Sequence, residues 1–239
     1  MAKYIGVTFI TKDKEYHSFN DWNLILSSVE IEYPEAQTYY LDVPGMDGHL
    51  DLSEALTGDI QYKNREIKIT FSLGANMQEW FNISSYIRNS IHGKQCKITF
   101  DKDKTHFWIG RVTVETTHSN RNNTIVAKVN ANPYKYEINT GTNNDWLWDT
   151  FNFETDIIRE YKDLKVNGSL DVNVYGNRKT VCPTFISDSD MQVKYNGNTY
   201  NITANTETEI LEIALTPGDN ILTFIGNGTV TIKYRGGSL

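Results

Sequence analysis

The feature that most restricts this chain is strict two-residue alternation. Residues 65–73, REIKITFSL, place polar and apolar side chains on opposite sides of an extended backbone. That is the pattern of a strand with one buried and one wet face. The same alternation returns in QCKITFD (95–101), HFWIGRVTVETTH (106–118) and NTIVAKVNANPYKYE (123–137), with polar turns at KDKT (102–105) and SNRN (119–122). One stretch departs from it. After Gly74, the residues Met77, Trp80, Phe81, Ser84, Ile87 and Ile91 are spaced three or four apart, which predicts a helix over about 76–92 closed by Gly93. The first part of the chain therefore reads as an antiparallel sheet or barrel carrying one α-helix.

From residue 167 onward short apolar runs alternate with turn signals. Asn196-Gly197 predicts a tight hairpin, because both turn positions need positive φ. Residues 217–220 (Pro-Gly-Asp-Asn) and 226–228 (Gly-Asn-Gly) are expected to make further turns. This spacing predicts a C-terminal β-sandwich. Between the two parts, residues 137–165 hold seven carboxylates against three Lys and Arg. The alternation of Trp146, Trp148, Phe151 and Phe153 there suits an edge strand or arm packed on a neighbour. The expected division is 1–136 and 137–239, the second beginning with this acidic connecting segment.

Charge narrows the partners. The formal net charge is −7, which argues against nucleic acid or an anionic membrane as the main partner. The N-terminal residues MAKYIGVTFI are too short and polar for a signal peptide, and no run of eighteen apolar residues occurs, so folding in a cytoplasm is expected. Cys96 and Cys182 are expected to be reduced, buried, small hydrophobes. The N-x-S/T sequons, such as Asn82-Ile83-Ser84, read as chance in an Asn-rich chain.

Candidate chemistry centres on residues 42–58, DVPGMDGHLDLSEALTG. Asp47, His49 and Asp51 would share one face of an extended strand, with Leu50 and Leu52 on the other. A half-buried strand explains that pattern without catalysis. The histidines His17, His92, His106 and His118 are scattered singly, with no ligand spacing for a metal. No nucleophile elbow, zinc-protease motif, phosphate loop or dinucleotide fingerprint is present. The reading is a non-enzymatic protein with no catalytic, metal or cofactor site, either an assembly subunit or a carbohydrate-binding adhesion module for host cell walls. In the latter, Trp146, Trp148 or Tyr200 would be the stacking platforms. A cryptic hydrolase using Asp47 or Asp51 is the third alternative.

The same stretch carries a resemblance. Residues 42–73 resemble the hallmark segment of the siphophage distal tail protein family, in which a Pro-Gly-x-Asp-Gly turn precedes a Leu-Asp-Leu-Ser-Glu-Ala-Leu-Thr-Gly run and a Tyr-x-Asn-Arg-x-Ile strand. Pro44, Gly45, Asp47, Gly48, Leu50, Asp51, Leu52, Glu54, Ala55, Leu56, Gly58, Tyr62, Asn64, Arg65 and Ile67 match it. The likeness continues through IHGK (91–94), GRV (110–112), NPYKY (132–136) and the closing NGTVTIKYRGGSL. It implies a virion structural protein whose tail-tube-like N-terminal domain forms a homohexameric ring between tail tube and tail tip. It also implies a galectin-like C-terminal sandwich that docks receptor-binding or tail-fibre proteins, and an arm that clasps a neighbouring subunit. Implied partners are the chain itself, the tail-tube protein, a tail-tip protein and a receptor-binding protein, with DNA only passing through the lumen and no membrane. The implied location is the virion tail tip, with assembly in the bacterial cytoplasm. Pro44, Gly45, Asp47, Gly48, Leu50, Asp51 and Glu54 are the expected turn and subunit-interface residues, with Asp47 holding the turn by an Asx hydrogen bond. The acidic balance would suit a lumen that passes DNA without gripping it.

Overall fold

The computed structural model describes residues 5–73, 77–118, 123–138 and 161–239. The chain is mainly β, with one α-helix among the described residues. It packs as two units, Met1–Asp103 with Phe107–Lys135 and Leu239, and Lys104–His106 with Tyr136–Ser238. The SNRN turn, the alternation of Trp146, Trp148, Phe151 and Phe153, and most of the acidic connecting segment lie outside the described residues.

In the first unit the elements run β1 (Val7–Ile10), β2 (Glu15–His17), β3 (Ile25–Ile31), β4 (Ala36–Gln37), β5 (Tyr40–Leu41), β6 (Leu50–Asp51), β7 (Gln61–Tyr62), β8 (Arg65–Ser72), α1 (Met77–Ile91), β9 (Gln95–Phe100), β10 (Asp103–His118) and β11 (Asn123–Ala131). The main sheet is antiparallel, in the order β2-β1-β9-β10-β11-β8-β3. Were it flat, its edge strands would stand roughly 29 Å apart, six spacings of about 4.8 Å. Instead the edges meet. The amide of Leu24, just before β3, donates to the Ser18 carbonyl at 2.9 Å, and the amide of Ser18, just after β2, donates to Val7 of β1 at 2.9 Å. The sheet therefore curls into a nearly closed barrel, and the short link across the seam buries Trp22 and Leu24.

Alternation fixes what the barrel encloses. Ile67, Ile69 and Phe71 of β8 face the same core as Ile125, Ala127 and Val129 of β11, the two strands being directly paired. The helix adds Trp80, Ile87 and Ile91 to that core, with the buried Ser84 between them satisfying its hydroxyl on the Phe81 carbonyl. Phe81 itself, expected on the apolar face, is 52% exposed. The 80-84-87-91 stripe turns it about 100° away from the core, and it packs edge-on against Trp80 instead. Gly93 ends the helix with φ +74°, as its position predicts.

The second unit contains β12 (Lys135–Glu137), β13 (Leu164–Gly176), β14 (Thr184–Ser187), β15 (Met191–Tyr195), β16 (Asn198–Ile202), β17 (Thr208–Glu209), β18 (Gly218–Lys233) and β19 (Gly237–Ser238). Its sheet runs β16-β15-β18-β14-β17, with β13 on the other edge of β18. Asn196 and Gly197 take φ of +48° and +82° in the β15–β16 hairpin, as expected. Residues 226–228 correct the sequence reading: they make no turn but lie inside β18, which pairs with β13 from Gly218 to Val230. On its other edge β18 pairs first with β15 and then with β14. Gly226 and Gly228 have φ of +151° and +144°, and Gly168 stands opposite Gly226. The strands of this sheet enclose a single core containing Phe185, Val193, Leu222, Phe224, Val230 and Ile232.

Candidate functional site

β3 and β8 are sheet neighbours, so residues 32–64 between them form one long excursion, an arm. It is built as nested hairpins. Glu32 donates its amide to Glu66 at 3.0 Å and Lys63 donates to Glu35 at 2.8 Å; β4 then pairs with β7, and β5 with β6. The tip, residues 42–49, turns at Gly45 and Gly48, with φ of +83° and +79° that a side chain would oppose.

The expected site residues all lie on this arm. Pro44, Gly45, Asp47 and Gly48 form the tip, Leu50 and Asp51 form β6, and Glu54 sits in the turn that follows. Two expectations change. Asp47 has no hydrogen-bond partner among the described residues, and Asp51 performs the Asx role instead. Its carboxylate accepts the Ser53 amide at 2.9 Å and the Ser53 hydroxyl at 2.5 Å, and these bonds hold it below the usual carboxylate range. The Ser53 hydroxyl in turn accepts the Tyr39 amide at 2.8 Å, tying the two sides of the arm together. The second change concerns burial. Gly48 breaks the extended run, the strand is only Leu50–Asp51, and Leu50 is exposed on a ribbon with no buried face.

The arm's composition is unusual for an exposed ribbon. Tyr33 and Leu56 are 92% and 99% exposed, and Tyr39, Tyr40, Met46 and Leu50 are exposed beside them. It also carries seven carboxylates against one lysine, a net −6. Residues 1–31 and 65–136, which supply the barrel strands and the helix, have nine carboxylates against fourteen Lys and Arg, a net +5. The acidity read from composition as a property of a lumen is thus concentrated in the arm and in residues 137–165. Repulsion of DNA does not follow from the charge of the barrel.

Chemical alternatives find little support in the geometry. His49 pairs with Asp42, both exposed at the tip. His17 accepts the amides of Phe19 and Asn20 at Nδ1 and contacts Asp101 through Nε2 at 3.3 Å, and His92 accepts the Val114 amide at 3.0 Å. No group of three metal-binding side chains occurs among the described residues. Asp51, Glu54, Ala55 and Gly58 line an open depression of about 460 Å³, in which the Asp51 carboxylate is engaged by Ser53. Cys96 is buried and its thiol is pushed up to about 11 by burial, an inert core residue. Cys182 is only half-buried, which corrects the expectation of a second core cysteine. Tyr200, one of the proposed sugar platforms, is partly buried against the C-terminal core, and Trp146 and Trp148 lie outside the described residues.

One residue at the arm's root was visible in the sequence only as a strand charge. Arg65 has the same parity as Ile67, Ile69 and Phe71, so it points inward, and it is 6% exposed. A charged residue in the inward register of an alternating strand was the signal available.

No family model matches this sequence, and no curated protein does. Among solved structures, the chain is similar to the crystal structure of the SPP1 Dit (gp 19.1) protein, described as a paradigm of the hub adsorption apparatus in phages infecting Gram-positive bacteria. The TM-score is 0.60 at 12% identity, covering 98% of this chain and 99% of that one. The two share a fold along their whole length.

Proposed function

We propose that this chain is a structural component of a phage tail, a distal tail protein that assembles as a homohexameric ring joining the tail tube to the tail tip. The observation that carries this reading is the fold shared end to end with a phage hub protein. The arm supports self-assembly. A two-stranded ribbon is marginally stable alone, and contiguous exposed apolar surface usually marks a protein interface. In a ring each arm contacts the next copy and every copy is equivalent, which is how a head-to-tail contact closes. Residues 44–54 are then interface residues, and the barrel is the ring-forming unit. The C-terminal unit docks a receptor-binding or tail-fibre protein, DNA passes through the lumen, and the chain resides at the virion tail tip after assembly in the host cytoplasm. None of these roles requires catalysis.

Negative-stain images of the purified protein, with its mass measured by light scattering on the same fraction, test the proposal. Six-fold rings with a central hole are expected. A monomer that fails to close even when mixed with the tail-tube protein would contradict it.

A further inference from the structure

We propose that His17 makes closure of the barrel sensitive to pH: neutral, it caps the turn that joins the two sheet edges, and protonated it releases that turn. The inference concerns one copy's own fold and is independent of the assembly reading above.

Residues 17–24 make a single helical turn between β2 and β3. The amide of Asp21 donates to the His17 carbonyl at 3.0 Å, and that of Asn23 to the Phe19 carbonyl at 2.9 Å. Ser18 and Leu24, whose amides draw the edges together, belong to it. The first amides of a helical turn have no carbonyl within it to bond, and the His17 ring supplies the acceptor. Its Nδ1 accepts the amides of Phe19 at 3.2 Å and Asn20 at 3.1 Å, while the Asp21 carboxylate accepts the His17 amide at 2.6 Å. This reciprocity is that of a capping box, with imidazole standing where Ser, Thr, Asp or Asn is usual. An imidazole nitrogen accepts only while it is unprotonated.

Two donated amides require a lone pair on Nδ1, so the neutral ring carries its proton on Nε2, which faces Asp101 at 3.3 Å. The ring is held in that orientation. It is 15% exposed, and Gly6, just before β1, packs so closely that a Cβ there would lie 2.4 Å from Cε1. A second proton would therefore go to Nδ1, into the path of two N–H groups, and both amides would lose this acceptor. The charged groups against His17 are Asp101, from the link between β9 and β10, and Asp21 on the turn, and both favour the cation. Gly6 and Thr8, beside it on the β1 side, carry no charge. Asp101 already bonds the neutral ring and is 32% exposed, so charging the ring adds only a screened attraction there. The closed turn thus takes the added proton less readily than the open chain, and closure weakens as pH falls through the range in which histidine protonates. Release also frees Trp22, which the closed turn stacks on Tyr16 with ring centroids 5.4 Å apart.

Hydrogen exchange of residues 17–24 in the full-length chain, at about pH 7.5 and about pH 5.5 and corrected for the intrinsic rate at each, tests this. In wild type the protection of this segment should fall about tenfold or more on acidification, while β8 keeps its own. His17→Asn, whose amide oxygen accepts at both pH values, should hold its protection. Asp101→Asn leaves the cap in place and should retain the acid loss. Imidazole nitrogen NMR shifts of wild type at the higher pH should show His17 protonated on Nε2 alone. Unchanged wild-type protection, an equal fall in His17→Asn, loss of the response in Asp101→Asn, or a His17 proton on Nδ1 at the higher pH each overturn the proposal. The last two measurements do not depend on His17→Asn folding.

Discussion

Asn220 does more bonding than any other side chain in the C-terminal core. It is 3% exposed, and its amide donates to the carbonyls of Thr216, Gly218 and Val174 at 2.8, 3.0 and 3.2 Å. Its oxygen accepts the Tyr195 hydroxyl at 2.9 Å and the Thr216 amide at 3.0 Å. Replacing it with Ala strands several buried groups at once, so Asn220→Ala should lose about 2–4 kcal/mol. Chemical denaturation checks this, and a loss under about 1 kcal/mol would show that water takes over the network. The turn role of Pro217-Gly218-Asp219-Asn220 was legible because it is local. The reach of Asn220 to Tyr195 and Val174 was not, since it depends on which strands become neighbours. Arg65 shows the same limit. Its inward register can be read from REIKITFSL, but the lack of an acceptor beside it belongs to three dimensions.

Among the elements, the helix and the alternating strands were readable because their periods are local properties of the backbone. β18 was not. Gly226-Asn227-Gly228 has the composition of a hairpin turn, yet β13 pairs straight across it, and the two glycines stand where β18 runs close against residues 188–191. Close approach explains why glycine is needed there. A Cβ on Gly228 would lie 2.2 Å from the Asp188 carboxylate and from the Ser189 hydroxyl, while one on Gly197 would meet nothing within 4 Å. Both positions have positive φ, so both resist substitution, but only Gly228 adds a collision. Gly228→Ala should therefore cost about 3 kcal/mol or more, against about 1–2 kcal/mol for Gly197→Ala. Equal losses by thermal unfolding would mean that Asp188 and Ser189 move aside freely.

At the scale of the molecule, alternation predicted sheets but not that the first would close on itself. Closure depends on the Ser18–Leu24 link drawing the two edges together. The arm was read as a half-buried strand because Leu50 and Leu52 alternate with carboxylates, a pattern that in a sheet means burial. Here Leu50 stays exposed and Leu52 is only half-buried on a ribbon between β3 and β8, which the proposed function explains as an interface awaiting a neighbour. Charge tells the same story once it is mapped: the total of −7 conceals an acidic arm and a basic barrel.

The most direct measurement removes the arm. Lys63 donates its amide to the Glu35 carbonyl, so residues 36–62 can be replaced by an Asn-Gly turn that closes the hairpin at that pair. Light scattering would then compare the intact and shortened chains at equal concentration. The account predicts a ring of six for the intact chain and a folded monomer with a similar melting temperature for the shortened one. A shortened chain that still assembles, or an intact chain no larger than the shortened one in the presence of its tail-tube neighbour, would contradict it.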